Sequence, residues 1–85
     1  MIKEIRVVNR KGLHARPATL FAETASKYSG EVKVSFESKT VNGKSLITLM
    51  SLAVPRDGEV TVTINGDEAE AVMSELSGVL GKNYD

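Results

Sequence analysis

The sequence predicts an α+β fold, an open-faced sandwich in which helices cover one side of a single sheet. Three observations predict it. Apolar and polar residues alternate through 32–36 and 60–64, as in strands with one buried face. Apolar residues recur at three- and four-residue spacing through 16–27 and 69–80, as in helices with one buried stripe. The 85 residues contain no repeat, linker or low-complexity run. That length suits one domain, spanning 1–85, with one modest core that helices and sheet must share.

Residues 2–8 are β-prone, with Ile5 and Val7 on one face, and Arg10, Lys11 and Gly12 break the strand. A helix over about 16–27 follows. Ala18, Phe21, Ala25 and Tyr28 form its apolar stripe, Thr19, Glu23 and Ser26 turn away, and Gly30 ends the segment. Val32, Val34 and Phe36 alternate with Lys33, Ser35 and Glu37, and 39–42 returns as the second strand of a hairpin. A short helix over 45–53 leads into a turn at Pro55, Arg56, Asp57 and Gly58. Val60, Val62 and Ile64 then alternate with Thr61 and Thr63, and Asn65 and Gly66 close that strand. Asp67 is expected to cap the last helix, with Glu70 reaching back in a capping box. Ala69, Val72, Met73, Leu76, Val79 and Leu80 make its apolar face, which Gly78 weakens by about 1 kcal/mol relative to alanine. The order is β-α-β-β-α-β-α.

Composition narrows the function. Eleven basic and eleven acidic residues cancel, so no net field points to nucleic acid or an anionic membrane. The chain has no cysteine and one histidine, which excludes a disulfide framework, a thiol nucleophile and Cys- or His-rich metal sites. No metal or other cofactor is expected. Without a signal core or the roughly 18 apolar residues of a spanning helix, a cytoplasmic location fits best, with no membrane insertion.

The single histidine stands in Gly12-Leu13-His14-Ala15-Arg16-Pro17-Ala18. Pro17 suits a first helical turn, because its φ is helical and its missing N–H has no intrahelical partner there. His14 therefore sits at the helix mouth, where free N–H groups and the dipole favour an anion, and Arg16 adds a permanent cation. A lone histidine is ordinarily an unremarkable surface residue. This setting instead suits one that becomes phosphorylated, since phosphohistidine chemistry needs an exposed neutral nitrogen with positive charge near the transferring oxygens. Arginine near a helix start is slightly disfavoured by the dipole, a mismatch that argues for a functional role. Gly12 and Pro17 are read as structural supports.

This segment, with Thr24-Ala25-Ser26-Lys27-Tyr28 and Val41-Asn42-Gly43-Lys44-Ser45-Leu46, resembles HPr, the histidine phosphocarrier family of the bacterial phosphoenolpyruvate-dependent sugar phosphotransferase system. The resemblance covers essentially the whole chain. It implies an antiparallel four-stranded sheet in order 1-4-2-3 with three helices on one side. It also implies that His14 accepts a phosphoryl group on Nδ1 from enzyme I and passes it to enzyme IIA domains. The chain would then be a carrier passing through a phosphohistidine rather than a stand-alone enzyme.

Ser45 should cap the short helix. By resemblance it is also a target of an ATP-dependent HPr kinase/phosphorylase. That helix carries more apolar residues than one buried stripe requires: Leu49 and Leu52 suit the core, leaving Leu46, Ile47 and Met50 as a docking patch. Resemblance adds Ala15, Arg16 and Thr19 to that surface, and Lys27, Lys39 and Lys44 add local positive charge. Glu23 and Pro55 depart from the family pattern; Glu23 bears on affinity for acidic partners, and Pro55 should stiffen its turn. A monomer is expected. The main rival reading is a regulatory paralogue, such as the nitrogen-related branch; a catabolite-repression paralogue without the active histidine is disfavoured by His14. A small hydrolase using His14 as general base would need an orienting carboxylate and an enclosed pocket, and a pure interaction module would leave His14 without a role.

Overall fold

The computed structural model describes residues 1–84. The period-two segments form β1 (Ile2–Arg6), β2 (Glu31–Phe36), β3 (Lys39–Asn42) and β4 (Glu59–Asn65). The helical segments form α1 (Ala15–Ser26), α2 (Leu46–Ser51) and α3 (Ala69–Leu80). Every strand pairing is antiparallel and the sheet order is β1-β4-β2-β3, the expected 1-4-2-3.

The register explains how alternation becomes a core. Val34 lies opposite Val62, Val32 opposite Ile64, and Ile5 opposite Val60, so these six share one face, and all are buried. Ala18, Phe21 and Ala25 of α1, Leu49 of α2, and Val72, Met73, Leu76 and Leu80 of α3 join them in one apolar cluster. Each fully buried Val, Leu, Ile or Phe stabilises the fold by roughly 1.5–3 kcal/mol. A one-residue slip of β4 would therefore turn three such side chains outward at once. Lys33, Ser35, Thr61 and Thr63 line the opposite face, which no helix covers.

Local details differ from expectation at three places. Residues 7 and 8 leave the ladder after Arg6, and Val7 is instead held by the loop before β4: Val7 N–H donates to Gly58 O (2.9 Å) and Asp57 N–H to Val7 O (2.7 Å). In the turn after α2, Gly58 N–H closes on Pro55 O (2.9 Å), but the left-handed φ falls on Asp57 (66°), not on Gly58. Asp67 does not cap α3 and no capping box forms. The helix begins later, with Glu68 as N-cap and no side-chain cap bond, so Glu70 is the second helical residue and out of phase for the reciprocal contact.

Candidate phosphoryl-transfer site

Three segments meet at one end of the sheet: the turn from β1 to α1, the loop from α2 to β4, and the tail after α3. Gly12 makes the first meeting possible. Its φ is +72°, and a Cβ there would lie 2.1 Å from the Val54 carbonyl oxygen. The close approach lets Leu13 N–H donate to that carbonyl at 2.9 Å. Gly12 N–H donates to Asn9 O and His14 N–H to Gly12 O, each at 2.8 Å. The backbone reaching His14 is thus fixed at consecutive residues.

His14 is the N-cap of α1, with extended backbone (φ −84°, ψ −174°) and a carbonyl that accepts from Ala18 N–H at 3.0 Å. Its side chain makes no capping bond and the residue is exposed. The imidazole is therefore not consumed by the helix it heads. Pro17, buried at the third helical position, has no N–H to orphan, while the N–H groups of Ala15 and Arg16 lack intrahelical acceptors and face the mouth with the positive end of the dipole. Arg16 is exposed and forms no ion pair among the described residues. Its charge acts on Tyr84: partial burial pushes the Tyr84 phenol above its ordinary pKa, and the Arg16 charge works against that rise.

Ala15 and Thr19 lie one turn apart on α1, linked by the Thr19 hydroxyl donating to Ala15 O at 2.7 Å. On α2, Ser45 is the N-cap and accepts from Thr48 N–H at 3.4 Å. Leu49 and Leu52 are buried, and Leu46, Ile47 and Met50 remain 37%, 81% and 38% exposed, so Ile47 contributes most of the uncovered apolar surface. The two helices run in opposite directions. The Ser26 hydroxyl near the end of α1 donates to Lys44 O (3.4 Å) just before α2, whereas Leu13 just before α1 bonds Val54 just after α2. Ser45 accordingly stands at the far end of α1 from His14, one 12-residue helix or about 18 Å away.

The lysines divide. Lys44 Nζ donates to Tyr28 O at 2.5 Å and lies 6.0 Å from the Tyr28 ring centre, and Lys39 Nζ donates to Ser51 O at 3.3 Å. Both charges are thereby tethered to backbone, while Glu23 on α1 and Lys27 at its C-cap are exposed. Among the described residues no three His, Cys, Asp or Glu side chains cluster as a metal site, and no helix is long and apolar enough to cross a membrane.

Sequence reasoning missed two parts of this site, Asn9 and the tail. Asn9 is 1% exposed. The signal was its phase, since Ile5, Val7 and Asn9 continue one alternation and place a carboxamide where a core side chain is due. Tyr84 follows a helix end and carried no pattern of its own.

A family profile described as "PTS HPr component phosphorylation site" matches residues 1–82. Solved structures agree over nearly the whole chain. HPr-C-His from Thermoanaerobacter tengcongensis is 38% identical with a TM-score of 0.89, the match covering 95% of this chain and 91% of that one. The phosphocarrier protein HPr from Bacillus anthracis is 34% identical with a TM-score of 0.88, covering 94% and 95%. Crh, the catabolite repression protein of Bacillus subtilis, described as a swapped dimer, is 36% identical with a TM-score of 0.75, covering 85% and 83%.

Proposed function

This chain belongs to the HPr family of the phosphotransferase system, and from that premise we propose that it accepts a phosphoryl group from phosphorylated enzyme I on His14 and delivers it to enzyme IIA domains during sugar uptake. One observation carries the reading: the chain's single histidine stands exposed at the mouth of α1, its ring unused by the cap, with an exposed arginine two residues on that forms no ion pair among the described residues. The lone pair of neutral His14 Nδ1 attacks phosphorus, and the phosphorus–nitrogen bond to the donor histidine of enzyme I breaks. The donor ring leaves with that electron pair and takes up a proton, and His14 gives up its Nε2 proton. Arg16 and the helix mouth steady the charged oxygens. A dipole contribution of about 0.3–1 kcal/mol, up to about 2 in a favourable site, biases the relay without trapping the group.

Docking is assigned to Ala15, Arg16 and Thr19 of α1 with Leu46, Ile47 and Met50 of α2. Ser45 is assigned as a regulatory site for HPr kinase/phosphorylase. Its distance from His14 means that a phosphate there acts on a docked partner's surface rather than on the imidazole, since exposed charges that far apart are screened within a Debye length of about 8–10 Å. The protein is placed in the cytoplasm as a monomer.

A second reading, a regulatory paralogue not coupled to sugar transport, is favoured by the likeness to Crh. Incubation with phosphoenolpyruvate and enzyme I, followed by addition of enzyme IIA domains, separates the two. An acid-labile, base-stable phosphate that passes to a sugar-specific enzyme IIA supports the carrier. A stable phosphoprotein that no such domain discharges supports the regulatory branch, and absence of a phosphoprotein refutes the assignment of His14.

A further inference from the structure

We propose that Asn9 is a positioning residue of the phosphoryl-transfer site, its buried carboxamide joining the turn that carries His14 to the segment that carries Tyr84; the role rests on His14 being the phosphoryl acceptor. Asn9 is 1% exposed, a carboxamide in the core at a position whose phase suits valine. A buried carboxamide is costly unless its donors and acceptor are paired, so its place in the core calls for specific partners.

Those partners lie on the two sides of the site. Asn9 Nδ2 donates to Gly12 O at 3.0 Å, and the same carbonyl accepts His14 N–H at 2.8 Å. Asn9 O accepts Gly12 N–H at 2.8 Å, so Asn9 holds the Gly12 residue from both its amide and its carbonyl, one bond away from His14. On the other side, Asn9 Oδ1 accepts Tyr84 N–H at 2.7 Å across 75 residues of sequence. The tail is seated there by two further contacts, Tyr84 hydroxyl to Val79 O at 2.8 Å and Arg10 N–H to Asn83 Oδ1 at 3.0 Å. It lies close enough to Arg16 for that charge to act on the Tyr84 phenol. One carboxamide thus ties the backbone from which the imidazole projects to the tail that carries Tyr84. Satisfied buried networks of this kind hold a single geometry, and phosphoryl transfer is sensitive to geometry: a 1 Å misplacement can lower a rate by roughly 10²-fold.

The experiment compares Asn9→Ala, Tyr84→Pro and Ile64→Val with wild type. Tyr84→Pro removes the N–H that Asn9 accepts and lies beyond the last helix, so it carries the test should Asn9→Ala fail to fold. Ile64→Val lowers stability from the central strand without touching the site. Steady-state kcat and KM for phosphorylation by enzyme I and the NMR shifts of the His14 ring are measured where melts show each variant folded. The expected result is a fall in kcat on the order of tenfold for Asn9→Ala and Tyr84→Pro, with KM unchanged and the ring signals moved. Ile64→Val is expected to keep kcat, KM and ring signals. Unchanged kcat and ring signals in the two site variants, or an equal kcat loss in Ile64→Val, overturns the proposal while leaving His14 as acceptor. A wild-type chain that enzyme I does not phosphorylate overturns both.

Discussion

Replacing Gly12 with alanine loads two costs onto one position. A non-glycine residue held at φ +72° is strained by about 1–2 kcal/mol, of which about 0.4–1 is returned because alanine narrows the unfolded ensemble. The new Cβ would also lie 2.1 Å from Val54 O, and about 3.4 Å is the near limit for ordinary contact, so the loop at Val54 must retreat by more than 1 Å. That retreat breaks the 2.9 Å bond from Leu13 N–H to Val54 O between two buried residues, which costs about 1–3 kcal/mol for groups left unpaired. The net loss runs from about 1 to about 4.6 kcal/mol and centres on about 3 kcal/mol. For a domain of this size each kcal/mol moves the melting temperature by about 4–8 °C, so at about 3 kcal/mol Gly12→Ala should melt roughly 12–24 °C lower. Gly78→Ala is the matched contrast. Gly78 is exposed within α3, and a Cβ there meets nothing within 4 Å, so it should raise stability by about 0.8–1 kcal/mol. Urea unfolding of both variants decides the matter. A loss below about 1 kcal/mol for Gly12→Ala would refute the argument that the β1–α1 turn depends on this approach.

Arg16→Ala should leave the melt unchanged and slow transfer from enzyme I on the order of tenfold. That is less than the roughly 10²–10³ lost with a buried oxyanion donor, because solvent screens an exposed guanidinium; stopped-flow rates equal to wild type would remove Arg16 from the site. Ser45→Asp should stay within about 1 kcal/mol of wild type, since aspartate is also a good N-cap, yet be phosphorylated more slowly by enzyme I, more so at low salt than at high. Equal rates at low salt would leave Ser45 as a cap only. Ile47→Ala should shift stability by less than about 0.5 kcal/mol, because the side chain is already 81% exposed, while raising the KM for enzyme I; an unchanged KM would take α2 out of the docking surface.

The sheet was legible because its strands alternate cleanly: Val60, Val62 and Ile64 can face only one way, and the pairing partners Val34 and Val32 repeat the same phase. The α1 mouth was legible because Pro17 restricts where that helix can begin. Less was legible where side chains and backbone trade roles. Asp67 and Glu70 carry the letters of a capping box, yet tertiary packing starts α3 at Ala69 and leaves them out of register. Ala53 and Asp57 take positive φ (52° and 66°) beside a glycine that does not, because the closure onto Val7 and Pro55 sets the path of that loop. Asn9 and Tyr84 meet across 75 residues, and a contact so distant in sequence has no local pattern to betray it. The antiparallel run of α1 and α2, which separates Ser45 from His14, is likewise a product of packing and not of either helix's own sequence.

If His14 carries the phosphoryl group on Nδ1, the phosphorus–nitrogen bond is visible in the imidazole itself. Chain labelled with ¹⁵N in its one histidine is incubated with phosphoenolpyruvate and enzyme I, and the ring nitrogens are followed by NMR alongside His14→Ala analysed by mass spectrometry. The expected result is a phosphorylation-dependent shift at Nδ1 of His14 and an unphosphorylated, normally folded His14→Ala variant. Phosphate found on His14→Ala, or a wild-type phosphoprotein whose imidazole signals do not move, would contradict it.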